Sequence, residues 1–289
     1  MDAIARIERR LAETMARATA RGGPPGLAAA MRHAVFPGGA RIRPRLCLAV
    51  AGALGDDDPD LTEAAAAAIE ILHCASLVHD DLPCFDDAAM RRGLPSVHHA
   101  FGERLAVLAG DALIVLAYET LALSVPRSPQ RLPALLAILS HAAGAPFGIA
   151  AGQAWECEPE IDLAGYQRAK TGALFAAATM AGAAATGAAI RAWRIVGQRL
   201  GEAYQVADDI RDTTARPEDI GKPVGQDQAH ACPNAVLALG LSAARARLRR
   251  LIDGAVEAIP PAAGRARLSA LILDEMSRLM PAESVHRAA

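Results

Sequence analysis

The sequence predicts an all-α protein built as a single-domain bundle, and three observations predict it. Alanine and leucine dominate the 289 residues, aromatic residues make up only 3%, and β-branched runs are scarce, a composition that favours helix over strand. Apolar positions recur nearly from end to end. No Gly/Ser/Pro-rich linker divides them, so residues 1–289 read as one domain.

Breakers and periodicity place the helices in order. An amphipathic helix through Ile4, Ile7, Leu11 and Met15 occupies about 2–21 and is stopped by Gly22-Gly23. Further helices are expected at about 25–35, 42–54, 60–82, 100–123, 131–143, 145–155, 166–187, 192–214, 233–258 and 263–280. Gly- and Pro-marked connections such as PGGARIRP (37–44), GDDDPD (55–60) and SVPRSPQ (124–130) separate several of them. The longest irregular stretch, roughly Thr213 to Pro233, is a candidate lid, because long loops in compact domains are usually functional or disordered.

Several function classes fall away on composition. A net charge of −2 with no basic stripe gives no case for nucleic acid. The five cysteines (Cys47, Cys74, Cys84, Cys157, Cys232) form no C-x-x-C pair and read as free thiols of a reducing cytoplasm. The N-terminal stretch has no apolar h-region and carries Asp2, Glu8 and Glu13, unlike a signal or transit peptide. Ala173 to Ile190 is uncharged over 18 residues, yet its Ala, Gly and Thr content suits a buried core helix better than a membrane span.

Two acidic clusters carry the chemistry. Asp80, Asp81, Asp86 and Asp87 lie in HDDLPCFDD, and Asp208, Asp209 and Asp212 lie in ADDIRD, about 120 residues later. Like charges at i,i+3 and i,i+4 destabilise a helix by roughly 0.2–0.5 kcal/mol per pair, so a fold that keeps them is expected to neutralise them. Oxygen-only ligands suit Mg²⁺ or Mn²⁺ rather than zinc. Asp208 and Asp212 share one helix face. In the first cluster Pro83 should end the helix near Leu82. Asp80 and Asp86, about 240° apart on an unbroken helix, could then meet one ion; alternatively Asp86 or Asp87 caps a helix restarting at Ala88. Magnesium is usually shared between carboxylates and substrate phosphates, and Arg41, Arg43, Arg91, Arg92, Lys170 and Lys222 supply cations for such a ligand.

At this point the chain resembles the short-chain trans-isoprenyl diphosphate synthases, most closely those making geranylgeranyl diphosphate. The motifs PGGARIRP, HCASLVHDDLPCFDDAAMRRGLPSVH, GDAL, KTGAL and YQVADDIRD…GKPVGQD follow the family's order and spacing. The resemblance implies antiparallel helices around a deep central cavity, a homodimer, and three Mg²⁺ per active site bridging an allylic diphosphate to both clusters. It implies Asp80, Asp86 and Asp208 as principal metal ligands, with Asp81, Asp209 and Asp212 acting through water or behind them. Arg91, Lys170, Thr171, Gln205, Lys222 and Asp227 would grip the allylic diphosphate or fasten its lid. Gly39, Arg43, His73 and Arg92 would bind isopentenyl diphosphate, without metal. Condensation by ionisation of the allylic diphosphate, attack of the isopentenyl double bond and proton loss is the implied reaction.

The family's fifteen-carbon members tend to carry an aromatic residue five positions before the first motif. Ala75 stands there, with Ser76 beside it, which implies a twenty-carbon product whose tail grows along the helix of Asp80. Two departures stand out. Ala40 replaces the usual lysine of GGKR, leaving Arg41 or His230 to take its place, and Cys232-Pro233-Asn234 replace a K-x-T in the lid. The alternatives are a regulatory subunit of a heterodimeric synthase, a farnesyl diphosphate synthase, a class I terpene cyclase and a generic metal-binding helical protein. No membrane anchor is visible.

Overall fold

The computed structural model describes residues 2–20, 22–124, 127–214 and 235–279. Among them the architecture is helical throughout, apart from one two-stranded ribbon. Helices α1 (Ala3–Ala18), α2 (Pro25–Val35), α3 (Ile42–Ala53) and α4 (Pro59–Asp80) are followed by strands β1 (Met90–Arg91) and β2 (Leu94–Pro95). Then come α5 (Val97–Phe101), α6 (Glu103–Ala122), α7 (Leu132–Ala143), α8 (Ile149–Ala154), α9 (Leu163–Gln167), α10 (Ala173–Ala185) and α11 (Arg191–Thr214). Helices α12 (Ala235–Leu239), α13 (Leu241–Glu257) and α14 (Arg265–Leu279) complete the described chain.

Helices α4 and α10 form the core. Pro59 opens α4, and Asp58 caps it by accepting a hydrogen bond from the Leu61 amide at 3.4 Å. Ala64 to Ala68 are fully buried on α4, and α1 lays Ile7, Leu11 and Met15 against this core. Small residues set the spacing around α10. A Cβ at Gly182 would lie 2.4 Å from the Cys47 carbonyl of α3, and one at Gly197 of α11 would lie 2.4 Å from the Phe175 carbonyl. The uncharged stretch from Ala173 is therefore a buried thirteen-residue helix.

The expected helices depart from the observed ones at glycines. The 100–123 segment splits at Gly102 (φ 84°) and the 233–258 segment at Gly240 (φ 80°), left-handed conformations that end a right-handed helix. The 145–155 helix starts only at Ile149. The 166–187 segment is interrupted by a π turn over Arg168–Gly172. The candidate lid from 215 onwards, with Lys222, Asp227, His230 and Cys232, lies outside the described residues. Two other helices, α4 and α6, are long and apolar enough to span a bilayer, but 83% of the α4 window is buried inside the protein against 44% for α6.

Candidate active site

The end of α4 sets the first acidic cluster. The helix stops at Asp80, and the chain turns back on itself: the Asp86 amide donates to the Asp80 carbonyl at 3.0 Å, and the Ala88 amide donates to that of Asp81 at 3.1 Å. No helix restarts at Ala88, so neither Asp86 nor Asp87 is an N-cap. The segment runs instead into the β1–β2 ribbon, with Asp87 left-handed at φ 46°. The break expected at Pro83 thus folds Asp86 back towards Asp80. Burial first, then the charge of Asp80, pushes the Asp86 carboxyl up to about 6.

Asp81 lies beneath this turn. It is buried and receives the Arg91 guanidinium, whose Nε lies 2.9 Å from Oδ1, while Arg91 Nη2 approaches Asp80 at 3.9 Å. Burial raises the Asp81 carboxyl above its usual range, and the Arg91 hydrogen bond partly offsets this.

The π turn carries Lys170 and Thr171 between the clusters. Such turns in helices frequently mark functional sites. It is held from outside by α8, where a Cβ on Gly152 would sit 2.4 Å from the Lys170 amide nitrogen. Lys170 Nζ lies 3.2 Å from Asp80 Oδ1 and 2.5 Å from Glu156 Oε1. Burial disfavours the ammonium, but Asp80, Tyr166 and Glu156 together outweigh it and hold Lys170 charged. Thr171 Oγ1 donates to Gln205 Oε1 at 2.9 Å, and Gln205 Nε2 donates to Asp209 Oδ1 at 3.0 Å. A continuous path of contacts, Asp80–Lys170–Thr171–Gln205–Asp209, thus joins the two acidic motifs at one end of the bundle.

On α11, Asp209 is buried and also accepts the Ala235 amide at 2.8 Å. Asp208 is more exposed and takes Arg211 Nη2 at 3.1 Å; Asp212 is partly buried two helix positions beyond Ile210. Among the described residues, no three acidic, His or Cys side chains close on one point as a preformed metal cage. The donor set nevertheless suits a hard cation. Asp80 Oδ1 is buried with no hydrogen-bond partner, since Lys170 contacts it without hydrogen-bond alignment.

A second basic site lies beside α4. Arg43 is buried, stacked 4.6 Å from the Phe175 ring centroid and 5.5 Å from that of Tyr204, with Nη1 3.4 Å from His73 Nε2. Burial and then the surrounding arginines, Arg43 foremost, hold His73 well below the usual histidine range, hence neutral. Arg92 is left-handed (φ 52°), and its guanidinium lies over Gly39, where a Cβ would be 2.9 Å from Cζ. Gly39, Arg43, His73 and Arg92 therefore lie close together.

Arg41 does not take the place of a lysine at position 40. It is buried, and its guanidinium donates to Glu8 Oε1 at 2.7 Å, Glu70 Oε1 at 2.7 Å and the Val35 carbonyl at 2.8 Å. Ser76 lies one turn below Asp80 on the same face, with Oγ donating to the His73 carbonyl at 2.8 Å. Ala75 is fully buried. It lies one turn below His79, whose ring packs on Gly110 of α6.

Sequence reasoning missed Glu156, Glu70, Glu8, Tyr204 and Phe175. Glu70 carried a faint signal as an isolated acid within an apolar helix; Glu156, in a loop shared with Glu158 and Glu160, carried none. A cavity of about 540 Å³ opens between α7, α9, α10 and the start of α11 and is lined by Ile138, Trp155, Ala173, Met180 and Arg194. None of the acidic motif residues reaches it.

The chain matches the polyprenyl synthetase family over residues 24–262. It is 51% identical over 285 residues to the geranylgeranyl diphosphate synthase of Cereibacter sphaeroides, covering 97% of this chain and 99% of the relative. It is also 51% identical to the enzyme of the same name from Rhodobacter capsulatus, covering 88% of each. The geranyltransferase of Helicobacter pylori, solved in complex with magnesium and isoprenyl diphosphate, superposes with a TM-score of 0.79 at 29% identity, covering 96% of this chain and 98% of that one. The chain belongs to the polyprenyl synthetase family.

Proposed function

We propose that this prenyltransferase condenses an allylic diphosphate (dimethylallyl, geranyl or farnesyl) with isopentenyl diphosphate to give geranylgeranyl diphosphate. The observation that carries the reading is the pairing of a buried, unbonded Asp80 oxygen with the charged Lys170 ammonium. Carboxylate and cation meet where a diphosphate and its metal would share them. Names of relatives over almost the full length support the product.

Asp80, Asp86 and Asp208, backed by Asp81, Asp209 and Asp212, are the residues that would hold Mg²⁺ (Mn²⁺ being the other fitting ion), with three ions per site on family resemblance. Bound Mg²⁺ supplies positive charge to the departing diphosphate. The chain's own residues do the rest. Lys170, Thr171, Gln205 and Arg91 orient the allylic diphosphate, with Lys222 and Asp227, outside the described residues, as further partners on family resemblance. Arg43, Arg92, Gly39 and neutral His73 hold isopentenyl diphosphate so that its double bond faces the ionising carbon. Water exclusion protects the cation so formed, and the proton is lost to the leaving diphosphate. No side-chain nucleophile takes part.

Helix α6 leaves Val107 (42%), Leu108 (53%) and Val115 (66%) exposed around the acidic Asp111, a mostly apolar face that we assign to a homodimer interface. Cytoplasmic residence without a stable membrane anchor fits free thiols at Cys47, Cys74, Cys84 and Cys157.

The test is to incubate the purified chain alone with Mg²⁺, isopentenyl diphosphate and farnesyl diphosphate and identify the product. A twenty-carbon diphosphate is expected. No product, but stimulation of an active partner synthase, would establish the regulatory-subunit alternative; a product stopping at fifteen carbons from dimethylallyl diphosphate would establish a farnesyl diphosphate synthase, the name that a 39%-identical Geobacillus stearothermophilus relative carries.

A further inference from the structure

The basic site beside α4 crowds the guanidinium groups of Arg41, Arg43 and Arg92 around a neutral histidine. Three like charges in a low-dielectric setting repel one another strongly, so something must hold them in place before any anion arrives. Glu70 is placed to do this. It is 2% exposed on α4, one turn before His73 and Cys74. Its Oε1 accepts Arg41 Nη1 at 2.7 Å and lies 3.9 Å from Arg92 Nη2. Glu8 of α1 reaches the same guanidinium from 33 residues earlier in the chain, accepting Nε at 2.7 Å.

Arg41 is fully committed to these acceptors and the Val35 carbonyl, and it is only 3% exposed. It is therefore no ligand for a substrate. Its left-handed backbone (φ 49°) starts α3 and sets the direction in which Arg43, two residues on, enters the site. Arg92, at Glu70's other side, also donates to the Gly38 carbonyl and rests on Gly39. One buried carboxylate thus fastens the 38–43 turn and the Arg91-Arg92 ribbon to α4. The two carboxylates cancel part of the charge of the three guanidinium groups and leave a net positive site for an anion.

We propose that Glu70 and Glu8 are positioning residues for the second substrate: through Arg41 they hold Arg43 and Arg92 at the spacing that isopentenyl diphosphate needs, and they make the docking of α1 a determinant of its affinity. This rests on the prenyltransferase reading above, and it reaches α1, which among the described residues has no other contact with the site.

The experiment compares wild type with Glu70→Gln, Glu70→Asp and Glu8→Gln in two measurements. Calorimetry in EDTA gives the Kd of isopentenyl diphosphate without metal, and steady-state kinetics give KM for each substrate and kcat. Loss of one charged hydrogen-bond acceptor is worth about tenfold or more in an equilibrium. Expected are a rise in Kd and KM for isopentenyl diphosphate of about tenfold in Glu70→Gln, a smaller rise in Glu8→Gln, and partial restoration in Glu70→Asp. KM for the allylic substrate and kcat should stay within about twofold. Equal effects on both substrates, or a lowered Tm with unchanged Kd and KM, would overturn the proposal. If Glu70→Gln does not fold, Glu8→Gln decides, because that side chain is 38% exposed at the surface of α1. A wild type that makes no product would instead sink the prenyltransferase reading, whatever the variants do.

Discussion

Lys170 Nζ stands 3.2 Å from Asp80 Oδ1, the carboxylate oxygen that no hydrogen bond satisfies. Residues 90 positions apart in the chain meet there because the π turn pushes Lys170 out of the register of α10 towards the end of α4. Removing the ammonium would leave the charges of Asp80 and Asp86 less well compensated, with Arg91 3.9 Å from Asp80. Lys170→Met is expected to lower kcat/KM for the allylic substrate about ten- to a hundredfold, from roughly 1.5–3 kcal/mol per charged hydrogen bond lost. Unchanged kcat/KM would remove Lys170 from the site.

The raised Asp86 carboxyl sets a pH dependence. Because its folded value lies above the ordinary one, its contribution to the stability of the metal-free chain is present in full below pH 3.8 and is lost as pH rises through about 6. A cation must displace that proton, so metal-dependent binding of a diphosphate analogue should weaken as pH falls through about 6, with protons released on binding. Calorimetry in buffers of differing ionisation enthalpy measures both. Metal-dependent affinity that stays flat between pH 5 and pH 7.5 would contradict the role given to Asp86.

Ala40 brings no charge to the turn beside Gly39, and the Arg41 guanidinium is spent on Glu8, Glu70 and Val35. Ala40→Lys is therefore expected to lower KM for isopentenyl diphosphate about tenfold, the equivalent of one added ionic contact. Steady-state kinetics check this; an unchanged KM would show that position 40 does not reach the anion.

Ala75 tests product length and packing together. Ala75→Phe should shift the main product from twenty to fifteen carbons. Because Ala75 is fully buried, overpacking should also cost about 1–3 kcal/mol, lowering Tm by several degrees at about 2–4 °C per kcal/mol. Product chromatography and calorimetry read the two separately. A retained twenty-carbon product would take Ala75 out of the chain-length account.

Introducing charge on α6, as Val115→Glu, should dissociate the proposed homodimer in equilibrium sedimentation, since a charge on an apolar interface is left without water or partner. Wild type running as a monomer at micromolar concentration would end the interface assignment.

The helical class, the core helices α4 and α10 and both acidic motifs were legible because they rest on local information. Apolar spacing, alanine content and a proline break act within a few residues of where they occur. The same holds for the break after Asp80, which Pro83 announced. Helix ends at Gly102 and Gly240 were less legible, since a glycine inside an apolar stretch can either be tolerated or take a positive φ, and packing decides between the two.

What the sequence settled by itself is which residue types are available and in what order: carboxylates in two clusters, cations beside Gly and Pro turns, small residues down the middle. What only the tertiary structure decided is which charges neutralise which. Arg41 and Arg43 are two residues apart and read alike, yet one is locked between Glu8 and Glu70 and the other lies on aromatic rings beside His73. Glu156, indistinguishable from its acidic neighbours in the chain, is the one that meets Lys170. Coulomb energy depends on distance and burial rather than on sequence separation, so partners brought together across 14, 29 or 33 residues become readable only once the helices have packed.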